Sequence, residues 1–175
     1  MRCGPGSYNI ARRPNLPFRA VNRAGSSGHD PALQRHHLLP CQLLSLPCFR
    51  RMFDLLGLER IGFDDFRRNG LLLPARENAV RRLGMPLHRG PHRDYNAMVI
   101  EKVGRIESLW STKRGTSDDK AHAKALARLG SLQDRLRLRL LDQRHPLCLN
   151  RRDPLQADTD FSTLDALAEQ LWQST

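Results

Sequence analysis

Short apolar runs cut by prolines, with histidines set into them, place the strictest limit on how this chain folds. One runs Arg35-His36-His37-Leu38-Leu39-Pro40 and a second Asn69-Gly70-Leu71-Leu72-Leu73-Pro74. A third segment is Leu87-His88-Arg89-Gly90-Pro91-His92. The first two are brief and stopped by proline, so each predicts a short strand, over 36–39 and 71–73. Asn69-Gly70 is a turn dipeptide at the start of the second. Residues 91–110 predict a long helix, because Tyr95, Met98, Val99, Val103, Ile106 and Trp110 recur at steps of three and four. Pro91 falls where a helix's first turn tolerates proline.

The histidines in these segments carry a chemical expectation. Neighbours on a strand point to opposite sides, so His36 and His37 do not share one metal; their adjacency predicts one ligand and one base. His88 and His92 are four apart, and on a helix that spacing puts both imidazoles on one face, a turn apart. Three imidazoles leave at least one coordination position open, which separates a catalytic site from a closed structural one. The remaining histidine, with an unperturbed pKa of ~6.5, is suited to take a proton from water. His29, His122 and His145 fall outside the pattern and are expected to face solvent.

Around this set the chain divides into four parts. Residues 1–30 are punctuated by glycine and proline and carry Arg12, Arg13, Arg19 and Arg23, which predicts a basic, flexible N-terminal arm. Residues 31–112 form the expected core. Within it, residues 42–57 predict a helix interrupted by Pro47 and closed by Gly57, and 58–68 a connection plugged by Phe63 and Phe66. A short helix at 76–83 ends at Gly84. Residues 113–145 predict a helical extension, with Ala125, Leu129, Leu132, Leu136 and Leu140 on one stripe over 119–142. Residues 146–175 predict a loop and a last helix at 162–172, capped by Ser162 or Thr163. The expected class is α+β, mostly α.

Charge points to the partner. Lys+Arg number 29 against 18 Asp+Glu, a net charge of +11, and lysine occurs only at Lys102, Lys113, Lys120 and Lys124. An arginine-rich surface suits a polyanion, nucleic acid first, since the planar guanidinium matches phosphate with paired hydrogen bonds. The cysteines form no CxxC pair, and Cys41 and Cys48 sit in an apolar run as expected buried thiols. No run approaches the roughly 18 apolar residues of a membrane span. The expected location is the cytoplasm, or delivery into a target cell's cytoplasm.

In order along the chain, His-His, Asn-Gly-x-x-Leu-Pro and His-x-Gly-x-His-x-x-Tyr-Asn resemble the AHH nucleases of the HNH/endonuclease VII superfamily, over about residues 33–107. Arg35 stands where that family carries alanine. The resemblance implies a small unit of two strands and a helix around one divalent ion, zinc or magnesium, with manganese or nickel as further options. It implies His36, His88 and His92 as metal ligands and His37 as general base. Asn69 is implied to hold the loop between the strands and steady His37, or else to be a left-handed turn residue before Gly70. Tyr95 either touches the scissile phosphate or packs in the helix. Arg35, Arg89 and Arg93 either neutralise developing charge or contact the nucleic-acid backbone. The function implied is a metal-dependent endonuclease, DNA ahead of RNA, with a toxin role and an inhibitor (immunity) protein as possible accompaniments. A non-catalytic, zinc-pinned basic binding module, and a helical partner protein pairing through 119–142, are the competing readings.

Overall fold

A computed structural model describes residues 14–113, 118–145, 147, 149 and 153–157. The helix expected at 162–172 lies outside the described residues, as do Cys3 and Cys148. The architecture is mostly helical with one small antiparallel sheet, the α+β class expected.

The sheet has two strands, β1 (Leu33–His37) and β2 (Gly70–Pro74), in a register that sets His36 opposite Leu71 and His37 opposite Gly70. β1 ends earlier than the 36–39 span predicted. The reason is local: the N–H of Leu38 donates to the Asn69 carbonyl at 2.8 Å, and the N–H of Leu39 to the Asn69 side chain at 2.7 Å. A two-stranded ribbon is marginal by itself in water. Here it is held by helices on its buried side.

α1 (Gln42–Ser45) and α2 (Pro47–Leu56) are separate helices, split where Pro47 takes the first turn of the second. Phe49, Met52, Phe53 and Leu56 recur at helical spacing and are buried. α3 (Leu58–Ile61) and α4 (Phe66–Asn69) fill the connection, with Phe63 buried as a plug. α5 (Glu77–Leu83) stops at Gly84, whose φ of 61° suits glycine. α6 (Arg93–Lys113) and α7 (Asp118–Leu141) pack on one another through Val99, Val103, Ile106 and Trp110 against Ala125, Leu129, Leu132 and Leu136. α8 (Pro154–Ala157) packs on α5. Each fully buried leucine of this core contributes roughly 1.5–3 kcal/mol.

Asn69 is not a left-handed turn residue. It closes α4, and Gly70 continues in extended backbone at φ −112°. Glycine is needed at 70 for space, because a Cβ there would lie 2.2 Å from the Phe66 ring. Gly70→Ala is therefore expected to lower stability by about 1–3 kcal/mol, measured by urea unfolding; an unchanged midpoint would mean Phe66 swings clear without loss.

Other expectations are corrected. From Pro14 onward the expected arm is laid against the sheet: Phe18 is buried, Pro17 bridges Asp65, and Asn22 clamps Asp30 and Leu33 through its side chain. Cys41 and Cys48 are exposed, because the buried stripe of α2 begins at Phe49 and leaves Cys48 beside it, while Cys41 precedes α1. His122 is half-buried and stacked on Trp110 with ring centroids 5.9 Å apart. His29 and His145 are exposed, as expected.

Candidate metal centre

Alternation along β1 sends Gln34 and His36 to one face and Arg35 and His37 to the other. On the first face His36 is 3% exposed and meets His88 and His92, with ring centroids at 5.0 and 5.6 Å. The His88 and His92 rings are 4.6 Å apart. One nitrogen from each of the three lies within 4.8 Å of the others.

The spacing of His88 and His92 works differently from the helical face predicted. α6 begins at Arg93, and His92 sits just before it, its carbonyl accepting from the Asn96 N–H at 2.8 Å. His88 lies in an extended segment whose N–H donates to the Pro74 carbonyl at 2.6 Å, which carries it along the end of β2. Gly90, at φ 75°, and Pro91 turn the chain between them.

The chemistry of the donors fits a metal. His36 Nε2 and His92 Nδ1 are buried with no hydrogen-bond partner, a costly state for neutral imidazole nitrogens unless an ion takes their lone pairs. Gln34 Oε1 lies 3.1 Å from His88 Nδ1. An amide oxygen only accepts, so Nδ1 carries the proton and Nε2 presents its lone pair, the usual way an outer partner orients a ligating histidine. Burial, then the neighbouring histidines, push His36 down to about 2 and His88 down to about 4. Burial also lowers His92, against a hydrogen bond to the Leu149 backbone. All three are therefore neutral near pH 7, as ligands must be.

On the opposite face His37 is half-buried, and burial lowers its pKa, against the pull of Asp64. In its protonated form it would further disfavour a proton on His36 and His88. Asn69, fully buried, accepts from Leu39 N–H and donates to the carbonyls of Leu39 and Phe63 at 3.2 and 3.0 Å. It ties the strand end beyond His37 to the plug at Phe63. Asn69→Ala strands these buried groups and is expected to destabilise by about 3 kcal/mol in urea unfolding; a loss within about 0.5 kcal/mol would show that water replaces the bonds.

Tyr95 is 4% exposed, and its hydroxyl donates inward to the Leu38 carbonyl at 2.8 Å, so of its two readings the geometry supports packing over a phosphate contact. Arg35 donates to the Phe18 carbonyl at 2.8 Å. Arg89 lines an open cleft of about 500 Å³ with Gln34, Arg76, Glu77 and His88. Arg93 is exposed at the start of α6.

Three supporting groups carry no motif. Gln34 is signalled only by standing two residues before His36 on one strand. Gln133, 1% exposed, interrupts the leucine stripe of α7 and lies 3.3 Å from Asn69 Oδ1. Asp153 accepts from the Leu87 N–H at 2.8 Å and so pins the segment carrying His88; its signal is an aspartate before Pro154 at a helix start.

A two-stranded sheet and a following helix bring three imidazoles together in a cluster that could hold a metal ion. The model of the AHH family, a nuclease family of the HNH/ENDO VII superfamily with conserved AHH, matches residues 17–136, and the chain belongs to that family. It is accordingly a nuclease, a hydrolase of phosphodiester bonds. No curated protein and no solved structure matches the chain. Arg35 stands at the alanine of the conserved triplet, where its guanidinium serves the Phe18 backbone.

Proposed function

We propose that the protein is a divalent-metal endonuclease acting on DNA, with His36, His88 and His92 holding one ion and His37 as general base. The observation that carries this is the pair of buried, unpartnered nitrogens on His36 and His92, facing a third imidazole whose tautomer is set by Gln34. An imidazole-only set favours zinc or nickel over magnesium. A divalent ion held by His36, His88 and His92 would supply Lewis-acid chemistry for phosphodiester hydrolysis.

The chain's own groups do the rest. His37, neutral at pH 7, takes the proton of the attacking water. Gln34 keeps His88 in its ligating tautomer. Arg76 and Arg89 line the cleft beside His88 and neutralise the phosphate backbone entering it. Arg93, exposed at the start of α6, adds a further backbone contact.

The test incubates the purified protein with supercoiled plasmid and with structured RNA, with and without EDTA. Nicking of the plasmid that EDTA abolishes and zinc restores is expected. Gel shifts without nicking, at every metal tried, would overturn the catalytic assignment, and faster cutting of RNA would overturn the substrate.

A further inference from the structure

The histidine assigned as base has no hydrogen bond to either ring nitrogen among the described residues. An imidazole that must present one nitrogen to water is usually held through the other. Here a different restraint is in place. The Phe18 ring lies on the His37 ring with centroids 3.7 Å apart and planes 1° from parallel.

Phe18 is itself fixed from several sides. Its ring edge meets Phe66, centroids 5.1 Å apart at 72°, and Phe66 occupies the space that Gly70 leaves open opposite His37. Its carbonyl accepts from Arg35, its neighbour Pro17 bridges Asp65, and the Leu16 carbonyl accepts from the Phe66 N–H at 2.8 Å. Beyond it, Asn22 ties the segment to β1 through the Leu33 carbonyl at 2.8 Å. None of these groups is a candidate metal ligand.

We infer that Phe18 is the positioning residue of the catalytic base: its stack, held by the segment 14–22, fixes the plane of the His37 imidazole while leaving both ring nitrogens free. This rests on the assignment of His37 as base. A stack restrains what a hydrogen bond would restrain, since rotation about the Cβ–Cγ bond tilts the imidazole off the phenyl face and loses the contact. It does so without consuming a nitrogen. Misplacing a reacting group by an ångström is enough to slow a reaction about 100-fold.

The test is a double-mutant cycle on the full, metal-loaded chain, with plasmid nicking as the assay. Phe18→Leu keeps an apolar side chain but removes the flat face, and Phe18→Tyr keeps the face. Phe18→Leu is expected to lower kcat about 10- to 100-fold, with KM and bound metal within about twofold of wild type. Phe18→Tyr is expected to stay within about threefold. In a His37→Ala background Phe18→Leu is expected to cause no further loss, because there is no base left to orient. A circular-dichroism melt on each variant confirms folding, and Phe18→Met replaces Phe18→Leu if the latter does not fold. The inference is overturned if Phe18→Leu cleaves at the wild-type rate while His37→Ala does not, or if Phe18→Leu costs the same factor in both backgrounds. Full activity of His37→Ala is a different result: it removes the base assignment, and the inference with it.

Discussion

His37→Ala is expected to slow plasmid cleavage by roughly 10²- to 10⁴-fold, the range a positioned general base supplies. Bound metal is expected to stay at the wild-type ratio. The second half follows from strand geometry: His37 points away from the face on which His36 meets His88 and His92, so its loss removes no ligand. The pH dependence has a definite sign. Burial lowers the His37 pKa below its ordinary 6.5, so the neutral form persists further into acid. The wild-type rate is expected to fall only as pH drops below the ordinary histidine range, and the remaining activity of His37→Ala to lack that limb. Steady-state rates between pH 5 and 8, with metal content measured on the same samples, check both statements. A fall in bound metal together with the rate would make His37 a ligand and redraw the site.

The parts of this fold written in local chemistry were legible, and those resting on long-range contact were not. Two short apolar runs marked the two strands, though β1 ends at His37 and not at Pro40 and β2 runs through Pro74, and helical spacing marked α2, α6 and α7. The four-residue step from His88 to His92 led toward a helix because spacing says nothing about what lies between; Gly90-Pro91 is incompatible with a continuous helix there. The two imidazoles still converge, through a turn instead of a face. Phe18 was hidden for a different reason. It is a single aromatic in a stretch punctuated by glycine and proline, where no period exists to show which way it faces. Only the tertiary fold brings it over a histidine nineteen positions away. Asn69 stood in a turn dipeptide, but its work is side-chain bonding to Leu39 and Phe63, which no dipeptide rule encodes.

The second large effect concerns His36, because it is the proposed ligand built into the strand and the most buried of the three. His36→Ala is expected to abolish metal binding and, with it, the stabilisation that metal gives. An ion that binds the folded state alone adds about 2.7 kcal/mol at a hundredfold excess over its dissociation constant. For a chain of this size that corresponds to a rise of about 5–10 °C in melting temperature. Zinc titrated into the wild type should show such a rise, and zinc titrated into His36→Ala should show none. The metal-free wild type tests the same residue by acid. The folded pKa of His36 is depressed to about 2, so between that value and 6.5 the unfolded chain binds a proton that the folded chain refuses. Stability is then full above pH 6.5 and drains away as pH falls, by about 1.4 kcal/mol per pH unit for this one group. His36→Ala removes that slope while adding a cavity beside Tyr95, so its stability should be lower at pH 7 yet fall less steeply toward pH 4. His88→Ala, in a part-exposed position, separates the two effects: it should lose metal with little change at pH 7 in the metal-free protein. If zinc raised the melting temperature of His36→Ala as it does the wild type, the three-imidazole centre would be the wrong site for the ion.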